Sequence, residues 1–129
     1  MQQLLLLGEY HVWYGQAEWT RWNHGILPDG SHPHDPDKIL EEGRRDIALT
    51  YYPVIGAYDS SDTETLKYHI RLAQAIGIDG FLVDWYGARD YPNSDSGLQD
   101  RNFLYLLASP NELNFQVAIE PKIHAGFVY

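Results

Sequence analysis

Three short apolar runs, each broken by glycine or proline just past a cluster of aromatic and acidic residues, narrow the folds open to this chain. They end in Tyr10-His11-Val12-Trp13-Tyr14-Gly15, in Val83-Asp84-Trp85-Tyr86-Gly87 and in Ala118-Ile119-Glu120-Pro121. Each is the length of a buried strand and too short for a core helix. Strands apolar on both faces belong to parallel sheets covered by helices. In such folds the C-terminal strand ends carry the functional groups. Aromatic rings offer flat faces and carboxylates accept hydrogen bonds from hydroxyls, so ends of this composition suit a flat, hydroxylated ligand such as a sugar.

The rest of the chain is consistent with that sheet. Residues 4–12 predict a first strand, and residues 13–38 a long loop with a turn at Pro28-Asp29-Gly30. Trp19 and Trp22 mark this loop as functional, because disordered segments are poor in aromatics. A short helix is expected over 39–45 and a second strand over 47–55, with Pro53 near its end. Leu66, Ile70, Ala73 and Ile76 recur at helical spacing and predict a helix over 62–76. Ser61 or Asp62 is its N-cap, Glu64 favours its first turn and Gly77 stops it. A third strand over 78–85, a second helix over 98–108 and a fourth strand over 114–120 follow. Strands alternating with helices imply parallel pairing and right-handed crossovers. The expected fold class is α/β. Four parallel strands are the N-terminal half of a (β/α)8 barrel, so residues 1–129 are expected to be one partial barrel domain, truncated at its C-terminus.

Charge narrows the partners. The net charge is −9, with 18 acidic against 9 basic residues. Nucleic acid and anionic membrane surfaces need clustered Lys and Arg, so both are disfavoured. The aromatic share is 14%, led by 10 Tyr and 4 Trp, which favours an oligo- or polysaccharide partner. There is no cysteine, hence no disulfide framework and no thiolate metal site. The opening residues Met1 to Glu9 lack the basic and apolar regions of a secretory signal, and no run approaches a membrane span.

Asp84 and Glu120 are the candidate catalytic residues, because they end consecutive strands. Neighbouring strands lie roughly 4.8 Å apart. Glycoside cleavage uses two carboxyl groups across the scissile bond. The competing reading has Asp84 capping the next loop and Glu120 paired with Arg89 or Lys122. Trp13, Tyr14, Trp22, Trp85 and Tyr86 are either sugar platforms or plugs closing the top of the sheet. His11, His24, His32, His34 and Asp35 match no firm ligand spacing, so no metal and no other cofactor is expected. His69 falls on the predicted helix and reads as structural or exposed. No glycine-rich phosphate loop and no Gly-x-Ser-x-Gly elbow is present.

Together these motifs resemble glycoside hydrolase family 99 and its looser 71/99-like kin. The resemblance rests on Trp13-Tyr14-Gly15, Trp22-Asn23-His24, Tyr52-Pro53, Gly56 to Asp62, Gly77 to Phe81 and Asp84 to Gly87, in that order. It runs from about residue 8 to residue 121. It implies a (β/α)8 barrel acting on α-linked mannose or a similar glycan, with retention and without a metal. The reaction it implies passes through a 1,2-anhydro sugar. One carboxylate deprotonates the 2-hydroxyl and another protonates the leaving oxygen. That carboxylate pair lies in a late Trp-Asn-Glu-type segment, which this sequence does not contain. By the resemblance, Glu120 contacts the sugar, Trp85 is the aromatic that packs on substrate, and Tyr10 or Tyr14 is the strand-one tyrosine of the site. Trp22 and His24 match the loop before strand two. Three positions depart from the pattern: His11 stands where an aromatic is common, Asp84 where Ser is common and Lys122 where Tyr is frequent. The expectation is therefore a set of substrate contacts lacking the catalytic pair, completed by a missing C-terminal barrel half. The alternatives are a non-catalytic glycan-binding domain and a metal-dependent hydrolase using His24, His32 or His34 with Asp35. The family resemblance implies a periplasmic or secreted location if a leader has been lost.

Overall fold

The computed structural model describes residues 4–85, 95–108 and 113–121. The chain divides into two compact units, residues 1–12 with 61–129, and residues 13–60.

The first unit is a parallel sheet with helices. Strand β1 spans Leu7–Tyr10, helix α1 Thr63–Ala75, strand β2 Gly80–Trp85, helix α2 Asp95–Ala108 and strand β3 Gln116–Pro121. The strand order is β1-β2-β3 and both pairings are parallel. Leu7 stands opposite Gly80 and Tyr10 opposite Val83, while Gly80 stands opposite Gln116 and Asp84 opposite Glu120. Asp79 pins this register at the lower end of the sheet. Its carboxylate accepts from the Leu6 N–H at 2.8 Å, its own N–H donates to the Leu6 carbonyl, and its carbonyl accepts from the Gln116 N–H.

Helix α1 forms where capping chemistry permits it. The Asp62 carboxylate accepts from the Glu64 N–H at 3.1 Å and from the Thr65 hydroxyl at 2.9 Å. At the other end Gly77, at φ +87°, closes a Schellman turn. Its N–H donates to the Gln74 carbonyl and the Ile78 N–H donates to the Ala73 carbonyl. Leu66, Ile70 and Ala73 line the buried stripe of the helix. They join Val12, Phe81, Val83, Phe103, Leu106 and Phe115 in one core. Fully burying a side chain such as Leu66 or Ile70 is worth about 1.5–3 kcal/mol. Buried Asn102 on α2 donates to the Val12 carbonyl at 2.9 Å, anchoring that helix just past the end of β1.

Residues 13–60 lie in sequence between β1 and α1, the place of a βα loop. They carry their own small core of Trp22, Ile47 and Ala57, flanked by Tyr14, Trp19, Tyr52 and Tyr58. The two ends of the unit are clasped: the Ser60 N–H donates to the Tyr14 carbonyl at 2.9 Å and the Tyr14 N–H donates to Ser60 Oγ at 3.1 Å.

Three expectations are corrected here. Residues 47–55 are not a strand. Only Ile47 of that run is buried, while Tyr51 and Val54 are almost fully exposed at 87% and 97%. Pro53 has no N–H to give a ladder, and its carbonyl closes a turn with the Gly56 N–H. The helix expected over 39–45 shrinks to a single 3-10 turn at Glu41–Gly43, because Glu42 takes a left-handed φ of +65°. β1 also begins at Leu7, leaving Leu4 to Leu6 exposed before it.

β3 comes close to β2 at Gly80, where an added Cβ would lie 2.5 Å from the Gln116 carbonyl oxygen. Gly80→Ala is expected to destabilise the chain by about 1–3 kcal/mol through overpacking. Gly77→Ala, which meets nothing within 4 Å, should cost about 1–2 kcal/mol from left-handed strain alone. Urea denaturation midpoints measure both. A Gly80→Ala chain as stable as the wild type would rule out this approach of the strands.

Candidate functional site

The two faces of the sheet carry different chemistry. Side chains alternate along a strand. Tyr10, Phe81, Val83, Trp85 and Val117 turn toward the helices, where they pack on the apolar core. Glu9, Leu82, Asp84, Ala118 and Glu120 therefore share the opposite face, and His11 follows β1 there at the level of Asp84. The expected meeting of Asp84 and Glu120 is realised as a register pair, side by side on adjacent parallel strands.

Asp84 is buried, with only 5% exposed, and Glu120 is half-buried. His11 lies between two carboxylates. Its Nδ1 stands 3.7 Å from Asp84 Oδ2 and its Nε2 3.3 Å from Glu9 Oε1. Two of the three positions that depart from the family pattern thus meet in space. The strand ends alone did not reveal this contact. The signal for it was the two-residue period, which puts Glu9 and His11 on one side and Tyr10 and Val12 on the other.

Tyr10 and Trp85 point away from these carboxylates. Tyr10 stacks on Phe81 with ring centroids 4.2 Å apart and planes 7° from parallel. Its phenol oxygen is hydrogen-bonded to His69 Nδ1 at 2.7 Å, tying β1 to α1. Trp85 lies 6.1 Å from Phe103 on α2. Both are partly buried against the helix-side core. Tyr86 lies outside the described residues.

The remaining candidates belong to residues 13–60. Trp22 is fully buried, its ring 4.2 Å from Tyr14 and its indole N–H donating to the Tyr58 carbonyl at 2.8 Å. It is the centre of that unit's core and offers no face to solvent. Burial, and then the neighbouring Tyr14, push the Tyr58 phenol well above its usual range, so it stays protonated. Trp13 is half-buried with the Arg21 guanidinium 4.5 Å above its ring, while His24 is exposed. Arg45 covers Trp19 in the same way at 4.9 Å, and the Trp19 indole donates to Asp37.

His32 and His34 are engaged separately. His32 Nδ1 lies 2.7 Å from the Gly25 carbonyl and His34 Nδ1 2.8 Å from Asp46 Oδ1. The His34 hydrogen bond, helped by the Asp35 N–H, holds the Asp46 carboxyl below its usual range. Among the described residues no group of three or more His, Asp or Glu side chains is arranged to hold a metal ion. No helix among them is long and apolar enough to cross a membrane.

Comparison with known proteins places this geometry. Residues 3–124 match the family model for glycosyl hydrolase family 99. The chain is 30% identical over 90 residues to a glycoprotein endo-alpha-1,2-mannosidase-like protein of Danio rerio, covering 60% of this chain and 19% of that protein. It is 27% identical over 133 residues to the Homo sapiens protein of the same description, covering 91% of this chain and 27% of that one. It superposes on the GH99 endo-alpha-mannosidase of Bacteroides thetaiotaomicron with a TM-score of 0.62 and 25% identity, over 88% of this chain and 32% of that one. The chain thus spans well under half the length of these relatives. The three parallel strands with their helices are the N-terminal portion of a (β/α)8 barrel, of α/β class.

His69, under the sheet, carries a pH dependence. Burial lowers its imidazole below the ordinary 6.5, and Nδ1 of the ring shares a hydrogen bond with the Tyr10 phenol. In the window below 6.5 the unfolded chain binds the proton more readily than the folded one. Stability present above that value is therefore lost as the pH falls through it. Between about pH 7.5 and about pH 5.5 the wild-type denaturation midpoint should fall more steeply than that of His69→Gln. Equal slopes would show that the half-buried imidazole contributes nothing.

Proposed function

We propose that this chain, which belongs to glycosyl hydrolase family 99, forms the substrate-binding first part of a site for α-linked mannose glycans. Its solved relative is named an endo-alpha-mannosidase, and its Danio rerio and Homo sapiens relatives are named endo-alpha-1,2-mannosidase-like proteins. The observation that carries the reading is the register pairing of Asp84 with Glu120 on the sheet face away from the helices. A barrel presents that face to its interior, and its active site sits at the strand ends where these residues lie. Carboxylates there accept hydrogen bonds from sugar hydroxyls. Glu120 is the principal contact, its register partner Asp84 lies on the next strand, and Tyr10 and Trp85 stiffen the strands that carry them. Trp13, Tyr14, His24 and Tyr86 are further candidate contacts.

The carboxylates that carry out the cleavage come, in this reading, from later barrel strands. The chain covers 32% of the solved relative, which leaves room for them. Here Glu120 and Asp84 bind and orient the sugar, and proton transfer to the leaving oxygen belongs to the rest of the barrel.

Titration calorimetry with an α-1,2-linked mannobiose should give measurable binding by the chain, its folding verified by circular dichroism. Incubation with α-mannan should release no reducing ends. Glu120→Gln should weaken the binding about ten-fold or more, since a hydrogen bond to a charged group is worth about 1.5–3 kcal/mol. A folded chain that binds no mannobiose, or one that cleaves α-mannan unaided, would overturn the proposal.

A further inference from the structure

We infer that the outer edge of β1 and the adjoining flank of α1 form the seam on which a later strand–helix unit of the barrel docks. The inference rests on the reading of this chain as the first part of a barrel, and does not depend on which sugar that barrel binds. Among the described residues β1 is bonded on one side only, to β2. Yet its approach has the sequence of an interior strand. Leu4, Leu5, Leu6 and Leu7 follow one another, and a run apolar at every position belongs to a strand covered on both faces. Here these leucines are exposed, Leu4 at 91% and Leu5 and Leu6 at 57%. An apolar strand edge left open is a template for pairing with another strand.

Helix α1 continues this surface. His69 is bonded to Tyr10 of β1, while Gln74 donates to the Leu113 carbonyl just before β3. These two contacts fix which flank of the helix lies toward each side of the sheet. Leu72 and Ile76 stand three and seven residues beyond His69, so they share its β1 flank. Tyr68 extends the row at the same four-residue spacing. All three are exposed, Ile76 at 70%. The opposite flank, with Lys67, Arg71 and Gln74, is polar. The helix thus buries one apolar stripe under itself and leaves a second in solvent on the side of the open strand edge. A strand edge beside an apolar helix flank fits a parallel strand that carries its own amphipathic helix, the repeating unit of such a barrel.

The occupant follows from the comparison with the solved enzyme, of which this chain covers 32%. A closed barrel has no edge, so its last strand bonds to its first and the helix of that last unit packs beside α1. Two copies of this chain joined through β1 about a two-fold axis would either break the parallel sheet or put their helices on opposite faces. The later part of the barrel is therefore the partner, and Leu72 and Ile76 are its anchor points on α1.

The test co-expresses the tagged chain with the part of the Bacteroides thetaiotaomicron enzyme beyond its superposed segment, and reads the recovered complex by sedimentation. The chain carrying both Leu72→Lys and Ile76→Lys is compared with Arg71→Ala on the opposite flank. Wild type and Arg71→Ala should form a one-to-one complex. The double variant should bind its partner about ten-fold more weakly or worse. Its own urea midpoint should match wild type, because exposed side chains add little to the stability of the chain by itself. No complex with wild type, or a complex indifferent to the double variant, would overturn the inference. So would a wild-type chain that is dimeric alone and monomeric as the double variant, which would give the seam to a second copy. No sugar enters these measurements, so a failure of mannobiose binding and a failure of the seam are told apart.

Discussion

β2 is hydrogen-bonded along both edges, to β1 on one side and β3 on the other, and that double pairing decides which side chains can meet. A one-residue slip of either neighbour would send every side chain of that strand to the opposite face. Glu120 would then join the apolar core, or Tyr10 would leave it. The register is held where the strands begin. Asp79 bonds to Leu6 on one side and Gln116 on the other, and the absence of a side chain at Gly80 lets β3 come close. The arrangement of carboxylates at the upper ends is thus secured by contacts at the lower ends.

The apolar face translates this register into rigidity. Tyr10 reaches α1 through His69, and Trp85 reaches α2 through Phe103. Asn102 ties α2 back to the chain just after β1. Each strand that contributes an acidic residue above is therefore anchored from below or from its neighbour. Aromatic residues beside a polar site do not have to touch a ligand to matter. Here two of them hold the strand ends from which the polar groups project.

Much of this was legible in the residues. Asp62, Glu64 and Gly77 mark α1 to within a residue or so, because caps and stops are local chemistry. The ends of β2 and β3 follow from apolar runs halted by aromatic or proline residues. The segment 47–55 misled because an apolar run of that length fits a strand as well as a loop folded onto its own small core, and periodicity cannot separate the two. The aromatics were equally ambiguous. Trp22 carries the same residue type as Trp13, but one is fully buried and the other half-covered by Arg21. Trp85 could be assigned only once its phase with Phe81 and Val83 was fixed, since β2 is apolar on nearly every position. The contact of His11 with Asp84 joins residues far apart in sequence, and only the register brings them together.

The clasp between Tyr14 and Ser60 has an evolutionary consequence. Departure and return of the chain occur at one spot, so the stretch between them is a self-contained cassette. Doubling the length of such an excursion costs only about 0.6 kcal/mol of closure entropy. A lineage is therefore free to lengthen, trim or recombine this cassette, while the hydrogen-bonded strands that precede and follow it in sequence are inherited intact.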